Sequence, residues 1–596
     1  MAWSEGFDLY VEKERIMNDI YSDCGRDRLL IRNGRGGFME NHRNIETDPF
    51  ATSCASIISG VISVFLSALV MGLPLYLHNS YFDILEAKYK WYYGSFLLML
   101  AIVLILSLAM LVIDFKEFGG EHAKTLFAAL KPANWKKLFY PADVAVLVFW
   151  LVALISTFQS EYFYESFWGN EGRYSGLFLM TLYVVMYFVV SRFWKAQSWL
   201  IYAFLLAGII VCAIGITDYF QMDIFHFRVK IKPSESAIFT STIGNINTYT
   251  AYIALIMGAA AGIFVTTEKR WNLIWAYVCL FISFMAIIMG CSDNAYLALG
   301  ALFAFMPLML FQSKRGLIRY LVMLSTFATV IQCVDFINHR YESVVLGLDS
   351  LFKVVVNLPG LLLLVLVLWG VTITVYVVFR RNTTIMRKED SVQKQATDEL
   401  SPLLRRGWMI FLVIVFCVIM FLLVDANFLG HEERYSSLAN YLVFNDEWGT
   451  SRGYIWRKSI EAYGKFPVMH KLFGYGPDTF GILTTQKFFG DMIDTTGLLF
   501  DNAHNEYLQF LLTIGPIGLI AYWIFIIFSC RSMLKCNIKK EYAIACAWAV
   551  ICYCFQAMVN LNLPITAPLL WGMLSMGIAI IRSGKIKNEN SQADMV

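Results

Sequence analysis

The sequence predicts an all-α polytopic membrane protein with about fourteen transmembrane helices and one large extracytoplasmic loop containing short helices. Three observations carry that prediction. The chain is 58% apolar and 16% charged, where a soluble protein is about 25% charged. The apolar residues fall in blocks such as 95–113, which has no charge and is long enough to cross a ~30 Å hydrocarbon layer as a helix. Backbone in lipid must satisfy its own hydrogen bonds, so such blocks become helices. Finally, Lys and Arg alternate in abundance from one connecting segment to the next. With the N-terminus placed inside, cytoplasmic segments hold 33 and outer segments 15, seven of them in the long loop. That asymmetry fixes orientation and places both termini in the cytoplasm.

Residues 1–50 are polar with seven Lys and Arg; they predict a cytoplasmic tail and no cleavable leader. Residues 51–424 hold eleven expected spans, at 52–77, 91–113, 141–157, 175–191, 199–218, 246–266, 271–290, 295–311, 320–336, 358–379 and 408–424. Within them, 380–407 is charged, with arginines at both ends, and is expected to be a cytoplasmic linker. Residues 425–505 form the large extracytoplasmic loop. A helix is expected over 451–466, and Gly474-Tyr475-Gly476-Pro477-Asp478 is expected to break the chain. Three more spans, at 506–528, 541–559 and 565–581, occupy 506–582, and 583–596 is a cytoplasmic tail.

Several function classes are disfavoured. A net charge of +3, with basic residues spread over many loops, suggests no nucleic-acid partner. None of the twelve cysteines lies in the long loop, so a disulfide framework is not expected there. No metal-ligand cluster and no Gly-rich phosphate loop with Lys is present, so neither a metal nor another cofactor is expected. Asp143, Asp218, Asp335 and Glu506 sit near span ends, whereas ion-coupled transporters place such groups at span centres.

Four constellations on the outer side can carry chemistry. His504, in Asp501-Asn502-Ala503-His504-Asn505-Glu506-Tyr507, lies where the long loop enters a span. A neutral imidazole there can take a proton from an attacking hydroxyl; the bland alternative is a polar residue at a helix start. Arg452, in Ser451-Arg452-Gly453-Tyr454-Ile455-Trp456, can grip phosphate oxygens with two parallel bonds, or it can be a solvated surface arginine. Asn245 and Asn247, beside Gly244, offer donors and acceptors at the interface, or a helix cap. Arg173 is the one basic residue of its short outer loop, and Arg228 adds charge to another. A cationic outer cavity with one base suits transfer from a lipid diphosphate donor.

The motifs resemble a known family. His504-Asn505 followed by Gly515-Pro516-Ile517-Gly518 is similar to the His-Asn…Gly-x-x-Gly signature of the O-antigen ligase and polymerase superfamily. Arg452…Trp456, then Gly474-Tyr475-Gly476 and Phe480, resemble that family's Arg…Trp and Gly-x-Gly…Phe elements, and Gly244-Asn245-Ile246-Asn247 its Gly-Asn-x-Asn element. The resemblance spans roughly 165–582. It implies a GT-C-like, metal-independent glycosyltransferase of a bacterial plasma membrane. Such an enzyme moves a glycan from a polyprenyl-diphosphate carrier (undecaprenyl diphosphate) to a glycan, lipid or protein hydroxyl outside the cytoplasm, in surface-polysaccharide synthesis. By carry-over His504 activates the acceptor and Arg452 binds diphosphate. Arg173, Arg228, Asn245, Asn247, Trp456, Asn505 and Tyr507 are expected to contact substrate. One departure stands out: Ser292-Asp293-Asn294 replaces the Ser-Arg-Gly of many members. The alternative reading is a flippase or exporter of lipid-linked glycans without chemistry.

Overall fold

Long apolar runs fold as helices, 95–113 within Ile84–Glu117 and 407–424 within Pro402–Phe428. The computed structural model describes residues 49–593 other than 130, 234, 349 and 387–397. Residues 1–48 of the expected N-terminal tail, the centre of the 380–407 linker and the last three residues lie outside the described residues. The chain divides into two units, Met1–Cys54 and Ala55–Val596. Of the first, residues 49–54 are described and are helical; the second holds the rest of the described chain.

Among the described residues, eleven helices are long and apolar enough to cross a membrane. Three shorter apolar helices, Leu177–Phe193, Ala295–Leu310 and Ala567–Ser583, lie where three further spans are expected. The chain is thus an all-α polytopic membrane protein. Among the described residues the sheet is one antiparallel pair, β1 (Phe239–Thr240) with β2 (Gly244–Asn245).

At the centre stands Ile246–Thr266, fully enclosed by its neighbours. It packs most extensively on Lys540–Gln556, and small residues explain why. A Cβ on Gly258 would stand 2.3 Å from the Trp548 carbonyl oxygen, and one on Gly262 would stand 2.6 Å from the Ala545 Cα. Gly258-x-x-x-Gly262 therefore lets two backbones touch, which is how helices gain packing where lipid supplies no hydrophobic drive. Helix Pro402–Phe428 is the opposite case: none of its most apolar window is buried by protein, as suits a lipid-facing helix.

The boundaries depart from expectation at several places, including an expected linker 380–407 entered from both sides by helices Leu361–Met386 and Pro402–Phe428 and an expected tail from 583 that continues helix Ala567–Ala593. The expected span at 506–528 is two helices, Glu506–Thr513 and Gly515–Leu534, parted at Gly515 with φ +70°. The expected helix at 451–466 runs Trp448–Gly464, but Gly449, Thr450 and Ser451 interrupt it in the left-handed region, with φ of 62°, 61° and 63°. The first span ends through a π-helical stretch, Ala68–Gly72, and a short turn, Leu73–Leu75.

The long segment has its own core, in which Tyr454, Ile455, Phe466, Phe480, Met492 and Phe500 pack together. Two glycines let it dock on the bundle. The Tyr475 and Gly476 amides donate to the Leu512 and Thr513 carbonyls at 3.0 and 2.9 Å. A Cβ on Gly474 would stand 2.3 Å from Thr513 backbone atoms, and one on Gly515 2.2 Å from the Leu472 oxygen. The Ser156 hydroxyl donates to the Thr513 carbonyl and the Gln159 amide to the Gly474 carbonyl, both at 2.7 Å. The span Pro141–Gln159 thereby anchors the segment at its C-terminal end.

Candidate active site

His504 lies between Phe500 and helix Glu506–Thr513, in a turn held from several directions. Its amide donates to Asn502 Oδ1 at 2.9 Å. The preceding Ala503 amide donates to Gln509 Oε1 at 3.1 Å, and the Trp456 indole N–H donates to the Ala503 carbonyl at 2.8 Å. His504 itself has φ 48°. A non-glycine residue there costs ~1–2 kcal/mol, and such strain gathers at functional sites. Two of its counterparts flank the other candidate: Thr450 and Ser451, both left-handed, directly precede Arg452. The imidazole meets Phe500 edge-on, with ring centroids 5.9 Å apart. Burial, with the Arg452 and Arg173 guanidiniums nearby, holds its pKa down to about 4 against the opposing pull of Asp501. The ring is therefore neutral at physiological pH.

Arg452 is largely enclosed. Its Nη1 donates to the Gly449 carbonyl at 3.3 Å, while its buried Nε has no hydrogen-bond partner. Burial lowers the guanidinium pKa and the Asp293 carboxylate opposes that. So Asp293, at the position where the resemblance implies a cation, places an anion in the field of Arg452. Tyr441 donates to the same carboxylate at 3.5 Å. Asn294, next in the chain, is 3% exposed, and its Nδ2 has no partner.

Arg173 joins the site through a carboxylate. Its Nε and Nη2 donate to the two Asp501 oxygens at 2.8 and 2.7 Å. The loop bearing Arg173 is clamped by the long segment, because buried Asp478 accepts the Asn170 and Ser175 amides at 2.7 and 3.0 Å. Burial raises the Asp478 carboxyl to about 7, although those amides and Arg173 favour its charged form.

The other predicted residues divide. Asn247 reaches the site's edge: its Oδ1 accepts the Ser292 hydroxyl at 2.7 Å, beside Asp293. Its carbonyl accepts the amides of Gln556 and Asn560 at 3.3 and 2.9 Å. Asn245 and Asn505 are helix caps. Asn245 Oδ1 accepts the Asn247 amide, and Asn505 Oδ1 accepts those of Tyr507 and Leu508. The Tyr507 hydroxyl is committed to the Cys554 carbonyl at 2.6 Å. Trp456 positions Ala503 through its indole and packs on Trp448 with ring centroids 5.2 Å apart. Arg228 goes elsewhere. It pairs with Asp218 at 3.7 Å, and Asp218 also accepts the Ser241 amide at 2.7 Å, so this pair fastens the β1–β2 hairpin.

Sequence reasoning assigned no role to Asp501, Asp478 or Asn294. Asp501 lies three residues before His504, but its partner Arg173 is 328 positions away. Among the described residues, no three His, Cys, Asp or Glu side chains converge as a metal set.

Residues 360–523 match the family model described as O-antigen ligase. The matched stretch contains Arg452, the Gly474–Gly476 turn, His504 and Gly515, and excludes Arg173, Asn247 and Asp293. No curated protein matches the chain.

Proposed function

We propose, from the match of residues 360–523 to the O-antigen ligase family model, that the chain transfers a glycan from a polyprenyl-diphosphate carrier to an acceptor hydroxyl. His504 is the base and Arg452 holds the diphosphate. The family match and the membrane helices support a membrane glycosyltransferase of the ligase or polymerase kind. One observation carries the finer reading: a neutral imidazole lies in the field of a guanidinium whose buried Nε has no protein partner.

The acceptor oxygen attacks the anomeric carbon as the bond from that carbon to the diphosphate oxygen breaks. His504 takes the hydroxyl proton, and polyprenyl diphosphate leaves with the electron pair. Arg452 offsets the charge that develops on the leaving group, in an enclosed place where that interaction is stronger than in water. The two roles are coupled. Arg452 depresses the basicity of His504, so a diphosphate that neutralises Arg452 raises it, and the base strengthens only once donor is bound. Arg173 is already held by Asp501 and serves to position the loop. No step calls for a metal. The site faces the extracytoplasmic side of a bacterial plasma membrane, in keeping with the Lys and Arg count.

Reconstituted protein, given a synthetic polyprenyl-diphosphate glycan, is expected to transfer the glycan in EDTA. Loss of transfer that Mg²⁺ or Mn²⁺ restores contradicts the metal-independent mechanism. No transfer to lipid, glycan or protein hydroxyls contradicts the reading itself.

A further inference from the structure

Helix Leu177–Phe193 has Arg173 just before its first turn and Arg192 in its last, so the two cations lie at opposite ends of one apolar helix. The Arg192 end opens on a cavity of about 210 Å³, lined by Ala55, Ile58, Arg192, Lys195, Ala579 and Arg582 among others. That volume far exceeds the ~10–15 Å³ that one water requires.

Among the described residues, one buried carboxylate serves two guanidiniums beside this cavity. Buried Asp143 accepts from the Tyr187 hydroxyl at 2.7 Å, the Tyr140 amide at 2.7 Å and Arg582 Nη2 at 2.6 Å. Arg192 Nη2 lies 3.1 Å from the same carboxylate. One carboxylate thus faces two guanidiniums, and Lys195 also lines the cavity, its Nζ donating to the Ser56 hydroxyl. Arg582 Nε is buried and has no hydrogen-bond partner. Both guanidiniums are pinned over rings, Arg192 over Phe188 and Arg582 over Tyr140, each at 4.4 Å. They are fixed donors with donor capacity still to fill. The cavity lies where two apolar helices end, Leu177–Phe193 at Arg192 and Ala567–Ser583 at Arg582.

We propose that this cavity is a binding site for a phosphate group, and that its natural occupant is the headgroup of an anionic phospholipid in the leaflet away from His504. A basic pocket between span ends, with two guanidiniums on one carboxylate and aromatic walls, fits that group. The site is independent of glycan transfer.

The test uses the full purified chain, with bound lipid counted by native mass spectrometry in a mixture of phosphatidylglycerol and phosphatidylcholine. Two variants are compared. Arg192→Gln removes one cation and leaves Asp143 paired with Arg582. Ala55→Trp fills the cavity mouth and changes no charge. The native protein is expected to retain phosphatidylglycerol over phosphatidylcholine. Each variant is expected to lose about tenfold in that retention, or ~1.4 kcal/mol. In a lipid-free arm with inorganic phosphate, a phosphate adduct lost in both variants, with phosphatidylglycerol retention unchanged, assigns the cavity to the free anion. Retention of both ligands in both variants overturns the proposal. Loss in Arg192→Gln alone overturns the cavity as the site and leaves only surface charge.

Discussion

Arg173 grips both oxygens of Asp501, at 2.8 and 2.7 Å, and so ties the loop before one apolar helix to the strand of chain that ends in His504. The pair also sets the field at the imidazole. Arg173 lowers the His504 pKa and Asp501 raises it. Arg173→Ala is therefore expected to move the pKa up from about 4, and Asp501→Asn to move it further down. Peptide-resolved diethyl pyrocarbonate labelling against pH reads the midpoint. In the native protein kcat/KM, which reports the free enzyme, is expected to hold from pH 7 to about 5 and to fall below that as His504 protonates. A native midpoint near the ordinary value of ~6.5 contradicts this electrostatic account.

Asp293 faces the guanidinium proposed to hold the donor. Asp293→Asn removes the competing carboxylate and is expected to lower KM for an anionic donor about three- to tenfold, ~0.7–1.4 kcal/mol, with kcat little changed. Donor titration in proteoliposomes measures it. A rise in KM would show that the carboxylate helps to bind donor.

The Asp478 clamp gives a stability prediction with a definite sign. Its folded pKa of about 7 lies above the unfolded ~3.9. Its contribution is therefore complete below ~3.9 and is lost as pH rises through about 7. Asp478→Asn keeps an acceptor for the Asn170 and Ser175 amides and avoids burying a charge. Relative to native, it is expected to gain in thermal stability as pH goes from 6 to 8. Asp478→Ala strands two amides and is expected to cost ~2–4 kcal/mol at either pH. A thermal shift series across pH checks both. An Asn variant that loses ground as pH rises contradicts the assignment.

Much of the bundle is legible in the sequence, because bilayer thickness dictates the length of each apolar block. The breaks are less so. Gly515-Pro516 divides an apolar run that hydropathy averages into one span, and the left-handed Thr450 and Ser451 are not residue types that signal such a turn. Of the candidate site, what is legible is a grouping. Arg452, Arg173 and His504 could be placed on one side of the membrane and do share one field. That Asn245 and Asn505 cap helices, and that Arg228 serves Asp218, depends on partners that adjacency in sequence cannot reveal.

Glycine substitutions test the docking of the long segment. Gly474→Ala and Gly515→Ala combine a left-handed φ with a Cβ closer than 2.5 Å to backbone. Each is expected to cost ~2–5 kcal/mol. Gly490→Ala, in open space within helix Phe480–Thr496, is expected to be neutral or to stabilise by up to ~1 kcal/mol. Protease resistance of the segment, read by limited proteolysis, should fall for the first two only. Equal resistance in all three would mean that the Tyr475–Leu512 pairing does not hold the segment.

The most direct measurement tracks surface glycan and lipid-linked donor in cells that carry His504→Ala or Arg452→Ala at matched protein levels. Loss of surface glycan in both, with donor accumulating on the outer face of the membrane, is the predicted result. Donor accumulating on the cytoplasmic face would identify a flippase instead, and unchanged surface glycan in both variants would remove His504 and Arg452 from the chemistry.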